Sequence, residues 1–375
     1  MSRAPSPHAP RRGPNQLRTV FLLVALVISV AVMGFAPELV SGQPTTAVDA
    51  PAAVTTAPAV QRVAVPPATS TTPIPAPEPL GLVVVSDPEP GDLRRGDGDT
   101  LPSDYTPSPA GEIRADQVYG PDPMHRYDLY LPAGEVPAEG APLIIYLHSG
   151  GWVGGDRSYV PDMVLRFLDL GYAIASVEYR LAPDSVFPGP VTDVARAIRE
   201  LKAMGIATGE LDPDRFVVYG TSAGGHLGAL ASMTVDRFEP ADLSIGAEQV
   251  DASVAGIVSA VGPTDLVQLY SHPNPWAAPM SGTFMGCFPE CTPDQLEIAN
   301  LAPHLHADIP PAYWAYGALD PLVDADAQGL LIAQQWADAG GDSYLDLVDD
   351  GDHNLDETVV NQRALEAFVA DAVAR

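Results

Sequence analysis

Ser222, Asp320 and His353 follow one another along the chain in an order that would suit attack on a carbonyl carbon. A serine hydroxyl is barely ionised at neutral pH and needs an adjacent base. A histidine acting as that base needs a carboxylate to fix its tautomer and to stabilise the imidazolium it becomes. Ser222 lies in VVYGTSAGG (217–225), within Gly220-x-Ser222-x-Gly224. A serine at a sharp strand-to-helix turn has strained backbone angles, and side chains two positions away on either side would collide. The helical stretch that follows, AGGHLGALASM, turns its N-terminus toward the serine and favours negative charge there. Upstream, LIIYLHSGGWVGGD (143–156) ends an apolar run in a glycine loop. Backbone amides of Gly150 and Gly151, with that of Ala223, would form an oxyanion hole, while His148 would brace the loop. Such donors contribute about 3–4 kcal/mol each at the transition state. Asp320 and His353 each stand just past a later apolar run, in AYWAYGALDPLVD (312–324) and LDLVDDGDHNLD (345–356). Asp324 competes for the acid role, and Asp320 is preferred because it lies nearer the end of its run. No other histidine follows Asp320.

These residues need elements that place them at strand ends. Seven short β-rich runs occupy 127–131, 143–148, 172–179, 215–220, 254–262, 312–318 and 344–348. Most are too continuously apolar for a sheet wetted on one side, so both faces are expected to be covered. Helical stretches at 191–205, 326–340 and 361–375 alternate with them, which implies βαβ units and a mostly parallel sheet with helices on both faces. His226 sits on the helix after the turn and reads as packing or pocket wall. His304 and His306 lack further ligands in helical register and read as loop residues, so no metal site is expected.

The formal net charge of −29 makes nucleic acid a poor partner. The N-terminus carries Arg3, Arg11, Arg12 and Arg18 ahead of the uncharged run VFLLVALVISVAVMGF (20–35). A basic head followed by an apolar stretch reads as an export signal. Residues 1–36 are therefore expected to be a cleaved signal peptide or a retained signal-anchor, with the anchor preferred because Pro37 disfavours cleavage at Gly34-Phe35-Ala36. Residues 37–110, rich in Pro, Ala and Thr, read as a disordered spacer, and 111–375 as the folded domain. The protein is expected outside the cytoplasm, held to the membrane only through its N-terminal segment, or secreted if that segment is removed.

HSGGW (148–152), YRLAP (179–183), DPDRFVVYGTSAGGHLGAL (212–230), GPTDL (262–266) and GALDPLV (317–323) together resemble the esterase/lipase branch of the α/β-hydrolases. The nearest likeness is to the feruloyl-esterase-like group called BD-FAE, with kinship to hormone-sensitive-lipase-like esterases. The match spans about 115–375. It implies an α/β-hydrolase fold with a small cap loop region near 263–300, a nucleophile at Ser222, an acid at Asp320, a base at His353, and oxyanion amides at Gly150, Gly151 and Ala223. Ser149 replaces a glycine usual in that motif, and GDHN (351–354) replaces a commoner small-residue version around the base.

The chemistry implied is hydrolysis of a small-molecule or carbohydrate-linked ester through an acyl-enzyme, with no cofactor. The same residues would also serve a peptidase or amidase. A hydrolase fold kept only as a surface-tethered binding module is the alternative from another class. Cys287 and Cys291, the chain's only cysteines, read as a disulfide in an exported protein, with free thiols as the alternative. So small a loop would stabilise by roughly 2 kcal/mol.

Overall fold

The structure, a computed structural model, describes residues 83–85, 105–235, 237–355 and 361–375. Among these residues nine strands form one sheet: β1 (Val83–Val85), β2 (Glu112–Val118), β3 (Arg126–Leu131), β4 (Ala141–Leu147), β5 (Ala173–Val177), β6 (Leu211–Thr221), β7 (Gly256–Ala260), β8 (Ala312–Gly317) and β9 (Ser343–Val348). Their spatial order is β1-β9-β8-β7-β6-β4-β5-β3-β2. Pairing is parallel from β1 through β5, and antiparallel for β3 on β5 and β2 on β3. The helices are α1 (Asp162–Asp169), α2 (Gly189–Thr208), α3 (Ala223–Met233), α4 (Leu266–Tyr270), α5 (Ala277–Met285), α6 (Pro293–Glu297), α7 (Leu331–Asp338) and α8 (Gln362–Ala372).

Side chains alternate across a strand, so a sheet buried on both faces must be apolar at successive positions. In β4, Leu143, Ile145 and Leu147 enter one core with residues of α2, α3 and α7, whereas Ile144 and Tyr146 enter a second core with residues of α1 and α8. This accounts for the unbroken apolar runs in the sequence. The seven expected strands are present, with ends shifted by a few residues. Strand order reverses around β4, which lies between β6 and β5. The loops leaving β4 and β6 therefore flank a crevice at their carboxyl ends, where open parallel sheets hold their ligands.

Three features depart from expectation. The folded part begins before residue 111. Tyr105 donates its hydroxyl to Asp169 at the end of α1, the Ser108 amide bonds the same carboxylate, and β1 adds a parallel edge strand from within the expected spacer. The rest of the expected spacer and the expected N-terminal export signal lie outside the described residues. Among the described residues, no helix is long and apolar enough to cross a membrane. The second feature is β2, an edge strand with an irregular register between Arg114 and Gln117 and mostly exposed side chains. It lacks the apolar alternation that marks a strand in sequence. The third is the cap region, which is helical rather than loop: α4, α5 and α6 occupy it. Asp265 caps α4 by accepting from the Val267 and Gln268 amides, and Thr292 with Gln295 forms a capping box on α6.

Below the crevice, α2 is locked to the segment after β5 through Asp193, which is 1% exposed. Its carboxylate accepts from His125 Nε2 at 2.9 Å, from the Arg180 amide at 2.9 Å and from Arg180 Nη2 at 2.6 Å. Burial alone would raise its pKa, but the His125 and Arg180 hydrogen bonds outweigh burial and hold the carboxyl below its ordinary value. Asp193→Ala leaves those donors facing an emptied pocket, so it should cost about 3 kcal/mol in urea unfolding at neutral pH. A loss under about 0.5 kcal/mol would show that the pair does not hold α2 in place.

Candidate active site

β6 runs through the middle of the sheet. Leu147 of β4 sits opposite its Gly220, and Ala260 of β7 opposite its Thr221. At the next residue the chain turns into α3. Ser222 takes φ 51° and ψ −117°, a left-handed conformation that is strained for a residue with a side chain. Its amide is held by Ala260 O at 2.8 Å, and its carbonyl accepts from the His226 amide at 3.1 Å. The turn is tight enough that a Cβ on Gly220 would overlap the Gly224 carbonyl, and one on Gly224 would overlap the Leu147 carbonyl. The glycine spacing noted in the sequence is therefore a packing requirement of this turn.

Ser222 Oγ stands 3.0 Å from His353 Nε2, and His353 Nδ1 stands 2.6 Å from Asp320 Oδ2. The Asp320 side chain is fully buried, and that of His353 is 23% exposed. The second Asp320 oxygen accepts from the Leu322 and Val323 amides at 2.8 and 2.9 Å. Those bonds fix the carboxylate, which accepts Nδ1–H and leaves Nε2 with a lone pair toward the serine hydroxyl. Asp324 is not part of this chain of bonds. It is exposed and caps a π-helical turn, Ala325–Leu330, by accepting from the Ala327 amide at 2.7 Å.

The loop after β4 carries three consecutive left-handed residues, Gly150 (φ 135°), Gly151 (φ 59°) and Trp152 (φ 61°). Among the described residues no backbone acceptor takes up the amides of Gly150, Gly151 or Ala223. A run of free amides in such a turn is a concavity suited to an anion. Trp152 is 1% exposed, stacks on Phe284 of α5 at 4.7 Å, and meets the His226 ring edge-on at 5.4 Å. These contacts hold it in a conformation that a side chain disfavours. His148 sits under the same loop. Its ring stacks on Tyr179 at 4.3 Å, its Nδ1–H donates to Ser149 O at 2.8 Å, and its carbonyl accepts the Tyr179 hydroxyl at 2.8 Å.

Some supporting residues had no signal in the sequence. Arg157 binds Asp128 of β3 and buried Glu178 after β5, and so ties the far end of the glycine loop to the sheet. Nothing near Arg157 distinguishes it from a solvated surface charge until the strand order is known. Gln328, fully buried, accepts from the Thr264 and Asp265 amides at 2.7 and 2.8 Å and fastens the base of the cap to the segment after Asp320. Cys287 and Cys291 are joined by a disulfide in the cap. His304 and His306 donate to the Ile298 and Met233 carbonyls, and no group of side chains suited to a metal is found among the described residues.

The BD-FAE family model matches residues 127–334, a span that includes the turn at Ser222, the glycine loop and Asp320. The chain belongs to the BD-FAE family. Two relatives from Mycobacterium tuberculosis resemble it: the probable carboxylic ester hydrolase LipM, 30% identical over 187 residues, covering 49% of this chain and 42% of LipM, and the esterase LipQ, 28% identical over 236 residues, covering 62% and 55%. This BD-FAE chain thus spans about half the length of the curated relatives it matches. Among solved structures, a truncated carbohydrate esterase from gut microbiota aligns with a TM-score of 0.62 at 21% identity, covering 73% of this chain and 99% of that one. At that identity the likeness concerns the fold, which is the α/β-hydrolase fold.

His226 behind the glycine loop gives the site a dependence on acid. Complete burial pushes its pKa down to about 4, while Nε2–H donates to Ala299 O at 2.8 Å. The unfolded chain protonates this histidine below about pH 6.5, whereas the folded protein resists until about pH 4. The stability that it contributes is therefore present above pH 6.5 and drains away as pH falls toward 4, by about 3 kcal/mol in all. Buried His304 is shifted in the same direction by burial. Urea unfolding at pH 7 and pH 4.5 should show His226→Asn losing markedly less stability on acidification than the wild type. Equal losses would mean that His226 is not among the groups that titrate.

Proposed function

We propose that this protein is a serine hydrolase of carboxylic esters working through an acyl-enzyme, with Ser222 as nucleophile, His353 as base and Asp320 as its orienting acid. The observation that carries the reading is the continuous chain of hydrogen bonds from Ser222 through His353 to buried Asp320, at 3.0 and 2.6 Å, at the tip of a strained strand-to-helix turn. His353 Nε2 takes the Ser222 proton as Oγ attacks the ester carbonyl carbon. The amides of Gly150, Gly151 and Ala223 receive the oxygen that becomes negative. The tetrahedral intermediate collapses as His353 gives the proton to the departing alcohol, leaving an ester of Ser222. Water activated by the same nitrogen then releases the acid. Every step uses side chains and amides of this chain. The names of the relatives, a probable carboxylic ester hydrolase, an esterase and a carbohydrate esterase, support carboxylic esters as the substrate class, carbohydrate-linked ones among them.

The test is labelling with a fluorophosphonate probe, alongside hydrolysis of p-nitrophenyl acetate and butyrate. Wild type should label and turn over, and Ser222→Ala should do neither. Asp320→Asn should keep the fold and lose about ten-thousandfold in kcat, because the neutral amide favours the wrong histidine tautomer. Folded wild type that neither labels nor hydrolyses would instead leave a binding module on a hydrolase fold.

Export is the second part of the proposal. It rests on the arginine-flanked apolar run 20–35, and the disulfide in the cap agrees with an oxidising compartment. A C-terminally tagged full chain should fractionate outside the cytoplasm. Recovery in the cytosol with both cysteines reactive toward a thiol reagent would overturn it.

A further inference from the structure

We infer that Met280, carried on α5, is a specificity-determining residue that forms the closed wall of the acyl side of the ester site and limits acyl length. The inference rests on the ester-hydrolase reading and goes on to assign the two sides of the site.

The atoms nearest the side-chain position of Gly151 belong to Met280. A Cβ built on Gly151 would overlap Met280 Sδ, with Cγ 3.1 Å and Cβ 3.4 Å away. Gly151 is one of the amides assigned to the oxyanion, so Met280 packs against a residue of the proposed oxyanion loop. Met280 is 9% exposed and forms part of a buried surface, not of the rim.

The reaction distinguishes the two ends of the substrate. The alcohol must leave beside His353 Nε2, which protonates it, and the His353 side chain is the open side of the site at 23% exposed. The acyl group remains on Ser222 and, on this inference, extends away from His353, along the glycine loop toward Met280. An open side for the departing group and a blind side for the retained group make Met280 a gauge of acyl length and leave the alcohol free.

The helix that carries Met280 is also fixed. Asn274 Nδ2, just ahead of α5, donates to Pro321 O at 3.0 Å, which ties the cap to the loop holding Asp320. The Phe187 amide donates to Phe284 O at 2.8 Å and ties α5 to the segment before α2. The disulfide loop rests on the same helix: a Cβ on Gly282 would lie 2.9 Å from Phe288 Cβ and 3.1 Å from Cys291 Sγ. Methionine has three rotatable bonds and a polarisable sulfur, so this wall yields by rotamer changes while its helix stays in place.

The experiment measures kcat/KM for two series with the full chain: p-nitrophenyl esters from acetate to octanoate, and acetate esters of alcohols of increasing length. Met280→Ala should raise the octanoate-to-acetate ratio at least tenfold, and Met280→Phe should lower it by a similar factor. Discrimination of that size is usual for one or two methylenes in a hydrophobic pocket. Met280→Leu, which conserves volume, should leave the ratio within about threefold of wild type, and the alcohol series should not respond to any of the three. Thermal unfolding identifies a variant that has not folded, in which case the two remaining substitutions decide. An acyl ratio that stays constant in folded variants, or a shift that appears in the alcohol series instead, overturns the inference while leaving the hydrolase reading intact. A wild type inactive on both series and unlabelled by fluorophosphonate overturns the hydrolase reading itself.

Discussion

The site depends on one crowded turn. Ser222 adopts a left-handed backbone, and the sheet around it must supply what a free chain would not: a partner for its amide at Ala260, an edge at Leu147 close enough to exclude any side chain from Gly224, and a helix starting at Ala223. Strain of this kind costs on the order of 1–3 kcal/mol and persists only where the surroundings over-determine it. Two cores, one on each face of the sheet, provide that over-determination. The central position of β6 is thus a mechanical requirement: a strand at the sheet edge would lack neighbours on both sides to hold the turn.

The same logic extends outward from the turn. The glycine loop is a second strained segment, and its anchor is an aromatic side chain. Trp152 buries its indole between Phe284 and His226, which places a cap residue and a residue of the nucleophile's own helix against one ring. The loop, α3 and α5 therefore meet at a single point. The acid loop joins through Asn274 and Gln328. Four segments distant in sequence converge within a few residues of Ser222, and each is held by packing or by a buried hydrogen bond.

This arrangement explains what could be read beforehand. The central strands announced themselves because burial on both faces leaves no room for polar alternation, and Ser222 because its turn admits only glycine two positions away. Asp320 lies nearer a strand end than Asp324, which favours it from sequence alone. The structure separates the two by function in the backbone: one accepts from Leu322, Val323 and the histidine, and the other caps a helical turn. What stayed hidden has a common character. β2 is exposed and irregular, β1 is three residues inside a proline-rich stretch, and α4 and α6 are five residues each, too short for periodicity to register. Met280, Arg157 and Gln328 owe their importance to neighbours far away in sequence.

The strand β1 has a consequence for how this chain can be shortened. It closes the parallel edge of β9, pairing Val83 to Val85 with Tyr344 to Asp346. A version beginning at residue 105 or 111 would retain every residue of the reacting centre. It would also lay open a row of unpaired amides and carbonyls along β9, the kind of edge on which a second molecule adds its own strand. Solubility and activity would then part company: the shortened protein would be competent in dilute solution and prone to self-association when concentrated, so the upstream segment acts as a guard on the sheet.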